Sequence, residues 1–159
     1  MTGRRSTMRP YGILPAPTEW TAPYWEAAKR GRLAIVQCHD CGFYLHPSRF
    51  ICVRCHAVTP NLAYVELSGR GMLYSYVLHY ETRFNGFADK LPYIAAVIEL
   101  VEQPGLTVWG NVLDAEYEDL RLGLPVEAVW EETDDPEIVM MQWRPINGSN
   151  GSAATGTAE

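Results

Sequence analysis

The second half of the chain is dominated by two-residue alternation. Ile94, Ala96, Ile98 and Leu100 put one wholly apolar face on a strand, and Val126, Ala128 and Trp130 put another. The runs 62–67, 72–80, 93–101, 106–113, 125–131 and 138–144 are rich in Val, Ile, Leu, Tyr and Trp and are punctuated by Gly, Pro and Asp, which predicts short strands joined by turns. Gly69-Arg70-Gly71, between the first two runs, marks a bulge or sharp bend of the kind that curls a sheet. Asp114 to Leu120 reads as a helical turn between strands. Five or six short strands with one helical insertion fit a small closed barrel of the OB type over residues 61–146, and closure removes the exposed edges of a flat sheet.

The first half follows a different pattern. Over 11–32 the chain predicts a short helix, with Thr21 as N-cap, Pro23 in the first turn and Gly31 at the stop. Tyr24, Trp25 and Ala28 fall near one face, and Lys29 and Arg30 suit the negative end of the helix dipole. The period then changes. Leu33-Ala34-Ile35-Val36-Gln37 predicts a strand running into Cys38, and 43–51 is strand-like but broken by Pro47. Tyr11, Trp20, Tyr24 and Trp25 crowd aromatic surface into a segment too short to fold alone. They either cap the chain's own core or anchor a partner. Residues 1–10 and 147–159 lack the apolar content to offset the entropy of ordering them and are expected to be disordered.

Four cysteines change the picture. Cys38-His39-Asp40-Cys41 and Cys52-Val53-Arg54-Cys55 form two Cys-x-x-Cys pairs, each of which makes a knuckle aiming two sulfurs at one point. Gly42 permits the backbone turn after the first pair. A redox pair occurs singly beside a thioredoxin-like pattern, which is missing here. Disulfides are disfavoured because no apolar segment follows the basic Arg4, Arg5 and Arg9 to make a secretory signal. Residues 33–60 are therefore read as a rubredoxin-like zinc ribbon holding one structural ion on Cys38, Cys41, Cys52 and Cys55. Iron uses the same four ligands and stays open. So small a ribbon cannot bury enough apolar area alone, and metal binding supplies the difference. Four sulfurs fill a tetrahedron, so the ion is structural. His39, His46 and His56 lie near the cluster and are expected outside the ligand set.

Charge separates the same two regions. Residues 1–60 carry eight Lys/Arg against three Asp/Glu and residues 61–159 five against sixteen, so +5 and −11 make up the net −6 of the 159-residue chain. No apolar run is long enough to span a membrane, and the expected compartment is the cytoplasm. Nucleophile elbow, P-loop, dinucleotide glycine pattern and His-Glu-x-x-His motif are all absent from the sequence. His79 reads as a strand residue opposite a Tyr74/Tyr76/Leu78 face, and the carboxylates at 116–119 and 131–137 read as solvated turns. The segment 82–92 carries Phe84 and Phe87 where a hairpin needs only a turn, which points to a partner or acyl-chain contact or to a flap over the barrel mouth.

The order of these features resembles a known family. Pro-Tyr-Trp-Glu on an aromatic helix precedes Cys-x-x-Cys-Gly and a second knuckle. Gly-Arg-Gly, Tyr-Ser-Tyr, Leu-Pro-Tyr, Gly-Asn-Val, Leu-Gly-Leu-Pro-Val-Glu-Ala-Val-Trp-Glu and Trp-Arg-Pro follow in order. The set, over roughly residues 15–145, is similar to the zinc-ribbon plus OB-fold proteins catalogued as domain of unknown function 35. The resemblance implies a non-catalytic accessory subunit of a thiolase-superfamily enzyme (a thiolase, a condensing synthase or a lipid-transfer-protein-like aldolase) in lipid or steroid side-chain degradation. It further implies a heterotetramer or other hetero-oligomer, packed near the enzyme's active-site entrance and sharing its acyl-CoA. Trp20, Tyr24, Trp25, Phe84 and Phe87 are the expected contacts. Lys29, Arg30, Arg32, Arg49 and Arg54 are candidate neighbours of the anionic CoA. Zinc ribbons and OB barrels also bind single-stranded nucleic acid, but a barrel segment of −11 lacks the basic groove that counterion release requires.

Overall fold

A computed structural model describes residues 14–81 and 90–146. Its elements are α1 (Ala22–Lys29), β1 (Leu33–Cys38), β2 (Tyr44–Leu45), β3 (Leu62–Leu67), β4 (Arg70–His79), β5 (Tyr93–Leu100), β6 (Thr107–Val112), β7 (Pro125–Glu132) and β8 (Val139–Pro145). A 3-10 turn at Tyr117–Asp119 lies where the acidic insertion was expected. Strands β2-β1-β3 form an antiparallel sheet, and β4-β5-β6-β8-β7 close a five-stranded barrel.

Two strand assignments change. The run 62–67, expected as the first barrel strand, pairs along its whole length with β1, from Leu33↔Leu67 to Cys38↔Leu62. Local alternation predicts a strand but says nothing about its partner. The stretch 43–51 keeps only Tyr44–Leu45 as strand, with a separate bridge from Ile51 to Val58. The chain leaves β3 through Gly69, whose φ of +70° is open to glycine at little cost, and Gly69 O accepts the Ala128 amide at 2.7 Å. Gly71 then enters the barrel wall. A Cβ there would lie 2.4 Å from Ile98 Cγ2 and 2.7 Å from the Glu99 carbonyl oxygen.

The apolar face of β5 behaves as its alternation predicts, with Ile94, Ala96, Ile98 and Leu100 all buried in the barrel core beside Val108, Val126 and Trp143. On β4 the pattern slips. Register shifts between Leu73 and Ser75, so Leu73 and then Tyr76 and Leu78 pack on the core while Tyr74 stands exposed. One extra residue in a strand reverses the parity of everything after it, which a strict two-residue reading cannot detect. Between β6 and β8 the pairing is parallel and limited to Val112↔Trp143. The buried Gln142 spans that seam, accepting the Asn111 amide at 2.7 Å and donating to Glu131 at 3.1 Å.

Strand β1 joins the two halves. Its side chains are buried on both faces: Leu33 and Ile35 enter the barrel core, whereas Val36 and Cys38 belong to a second cluster with Leu45, Cys52 and Leu62. That explains its uninterrupted apolar run. Gln103, in the β5–β6 connection, clamps β2 by accepting the Tyr44 amide at 2.9 Å and donating to the Tyr44 carbonyl at 3.2 Å. The α1 helix packs over β1 with Ala27 and Ala28 buried, and Gly31 ends it at φ +69°. Thr21 holds the N-cap position but makes no capping bond; its hydroxyl instead accepts the Thr18 amide at 2.9 Å. Among the described residues no helix is long and apolar enough to cross a membrane.

Candidate metal centre and flanking surfaces

The two Cys-x-x-Cys segments fold alike. In the first knuckle Cys38 N–H donates to Phe43 O at 2.9 Å and Gly42 N–H donates to Cys38 O at 2.7 Å. In the second, Cys52 N–H donates to Ala57 O at 2.8 Å and His56 N–H donates to Cys52 O at 3.0 Å. Gly42 at φ +72° and His56 at φ +62° occupy the same left-handed position. Glycine announced that turn in the first knuckle. In the second, histidine hid it, although His belongs to the residue types found there more often than most.

Facing each other, the knuckles bring all four sulfurs within 4.8 Å of one another. Cys38 Sγ lies 3.5 Å from Cys55 Sγ, and Cys41 Sγ 3.6 Å from Cys52 Sγ. All four cysteines are free thiols. A tetrahedron with metal–sulfur bonds of about 2.3 Å has edges of about 3.8 Å, so the observed separations suit one tetrahedral ion. Proton sharing in the cluster is uneven. Burial raises the Cys52 thiol, but the Cys55 and Arg54 amides and the neighbouring thiols draw it down to about 7. The Ala57 amide lowers Cys55, but burial and the other three thiols push it up to about 12. Four anionic sulfurs repel one another, and a divalent cation is the charge that lets all of them ionise. No histidine completes the set: His39 and His46 are exposed and His56 turns the second knuckle, while desolvation of the imidazole lowers the His46 pKa.

The aromatic candidates are dispersed. Trp20 packs on the ribbon cluster, its ring 4.7 Å from Phe50 and 6.1 Å from Tyr64. Tyr24 packs on the barrel core and meets Trp25 edge-on at 5.0 Å. Burial, with a smaller push from Tyr64, raises the Tyr24 hydroxyl to about 12. Trp20 and Tyr24 thus tie helix, ribbon and barrel together from one short segment. Phe84 and Phe87 lie outside the described residues. His79 stacks on Tyr93 at 4.6 Å with 12° between the rings. Of the basic side chains proposed near CoA, Lys29 is paired with Glu26 and Glu137, and Arg30 with Glu66 at 2.9 Å.

Comparison with known proteins agrees with this architecture. The ChsH2 rubredoxin-like zinc ribbon domain matches residues 25–59, and the ChsH2 C-terminal OB-fold domain matches residues 64–131. The chain belongs to this ChsH2 (DUF35) family of zinc-ribbon and OB-fold proteins. A DUF35 domain-containing scaffold protein of Methanocaldococcus jannaschii is 37% identical over 117 residues, covering 70% of this chain and 79% of the relative. The 3-oxo-4,17-pregnadiene-20-carboxyl-CoA hydratase alpha subunit of Mycobacterium tuberculosis is 30% identical over 133 residues, covering 84% of this chain but only 40% of the longer relative. Among solved structures, a chain of the Ltp2-ChsH2(DUF35) aldolase superposes with a TM-score of 0.72 at 32% identity, covering 83% of this chain and 98% of that one.

Proposed function

We propose that this chain is a non-catalytic accessory subunit, in the cytoplasm, of a thiolase-superfamily enzyme acting on acyl-CoA in lipid or steroid side-chain degradation. The observation that carries the reading is the match to almost the full length of a chain from the Ltp2-ChsH2(DUF35) aldolase. The scaffold name of the archaeal relative points the same way, and the CoA ester in the mycobacterial relative's name suggests the substrate class. On this reading Cys38, Cys41, Cys52 and Cys55 hold one zinc ion that replaces a core the ribbon is too small to build. With four thiolates the ion has no open position for water or substrate.

Affinity purification of the tagged full chain from its native host tests the reading. The expected result is a stable hetero-oligomer with a thiolase-like enzyme whose acyl-CoA turnover falls when this chain is removed. A chain that elutes alone, or that turns over acyl-CoA by itself, overturns it.

A further inference from the structure

Between Asp40 and Glu66 the chain contains no carboxylate. That stretch includes the second knuckle, and its outer surface is apolar. Phe50 is 62% exposed, and Ile51, Val53 and Val58 are each more than half exposed. Phe50, Ile51 and Val53 line an open depression of about 650 Å³ together with Arg49 and His56. Ile51 and Val58 are bridge partners, which makes the apolar area continuous across two segments of chain. Phe50 is also held in place, because its ring rests on Trp20, itself packed on the ribbon cluster. An aromatic anchor fixed before binding loses little freedom on binding.

The surrounding charge narrows the occupant. Among the described residues neither Arg49 nor Arg54 has a carboxylate partner, as is also true of Arg32 and Arg70, whereas Lys29 pairs with two carboxylates and Arg30 and Arg144 with one each. Arg54 lies over the Phe43 ring at 5.9 Å. Arg49 on the lining of the depression and Arg54 on the same knuckle, both without a carboxylate, beside four exposed apolar side chains match a protein surface in which an apolar patch is bordered by carboxylates. Nucleotide phosphates would satisfy the arginines but leave the apolar area in water. Other exposed apolar side chains among the described residues include Leu122 at 68% and Trp109 at 72%, the latter on β6 with Thr107 and Asn111 flanking it along the strand.

We infer that the second knuckle, through Phe50, Ile51, Val53 and Val58 with Arg49 and Arg54, is the surface on which this chain seats its partner enzyme. The partner presents there an apolar patch ringed by Asp and Glu. This inference rests on the accessory-subunit reading and moves the contact away from Trp20, which serves as the platform behind Phe50.

The test uses the full chain co-expressed with the enzyme that co-purifies with it. Two double variants, Phe50→Ser with Ile51→Ser and Arg49→Glu with Arg54→Glu, are compared with Trp109→Ala. Metal content and circular dichroism establish that each is folded. Both knuckle variants are expected to weaken the complex by roughly tenfold or more. Wild-type affinity should fall with added salt, the charge-reversed variant should lose that dependence, and Trp109→Ala should bind as wild type. Wild-type affinity in both knuckle variants overturns the inference while the accessory-subunit reading stands. So does a wild-type chain that self-associates alone and becomes monomeric in the Phe50/Ile51 variant, since the occupant is then a second copy. CoA binding to the isolated chain that is lost in the charge-reversed variant, with the enzyme complex intact, assigns the arginines to the nucleotide and also overturns it. If wild type retains no enzyme, the accessory-subunit reading falls and this inference with it.

Discussion

The ribbon cluster buries five side chains, two of them the metal-site residues Cys38 and Cys52, whereas the barrel closes over fifteen, from Leu33 to Trp143. Both regions use antiparallel strands, and both are reached by β1. They differ in what replaces water around the backbone. The barrel does so with apolar volume, wrapped on every side. The ribbon has two short knuckles whose amides bond within each turn, and their four cysteine sulfurs meet where one ion fits. One consequence is where apolar surface is left over. The barrel buries its core yet still leaves Tyr74, Trp109 and Leu122 among the side chains facing outward, while the ribbon, with so small an interior, gathers exposed Phe50, Ile51, Val53 and Val58 within residues 50–58.

Metal removal should break this comparison most strongly. Chelation, or Cys38→Ser, withdraws an interaction worth about 10–16 kcal/mol in zinc-finger peptides. Hydrogen exchange should then become fast across residues 38–61 while β5 and β6 stay protected; equal loss of protection in both would make ribbon and barrel one cooperative unit. The reverse experiment is Trp143→Ala, which empties a fully buried site in the barrel. It should cost about 3–5 kcal/mol in denaturant unfolding, with one metal ion per chain retained in the folded protein.

Two glycines sharpen the contrast at smaller scale. Gly71→Ala drives a Cβ against the Glu99 carbonyl, a backbone atom held by the barrel ladder, and should cost about 1–3 kcal/mol. Gly42→Ala meets nothing within 4 Å, so only its left-handed φ of +72° opposes it, at about 1–2 kcal/mol. Differential scanning calorimetry of the two variants measures the difference. The smallest effect is confined to alkaline pH. Tyr24 has its folded pKa raised to about 12 from 10. The stability tied to this shift is complete below pH 10 and is lost as pH rises toward 12, because the unfolded chain releases the proton first. Tyr24→Phe should flatten the denaturation midpoint across that window and leave pH 7 nearly unchanged; an unchanged alkaline slope would remove Tyr24 as its cause.

Much of this molecule could be read from local pattern. Alternation in 93–101 gave β5 and its buried face, Pro23 and Gly31 bracketed α1, and the spacing of Cys38, Cys41, Cys52 and Cys55 placed four sulfurs at one point. What local pattern misassigned or left open shares a cause. Leu62–Leu67 is an ordinary strand by pattern, and only pairing assigns it to β1. Tyr74 alternates correctly with Tyr76 until the bulge turns it outward. His56 adopts the glycine conformation of the first knuckle under a side chain that conceals it. Trp20 and Tyr24 look like one aromatic patch, yet they pack on different clusters.

By itself, the sequence determined what depends on neighbours a few residues away: strand periodicity, helix ends, and the two knuckles that aim cysteine pairs at one point. Tertiary structure alone decided which strands pair, where register slips, and which apolar and charged side chains are left uncovered. Those outcomes depend on segments far apart in the chain competing for the same hydrogen bonds and the same buried volume. No window along the sequence contains both competitors, and so the outward-facing knuckle became visible only once β1 had been shared between ribbon and barrel.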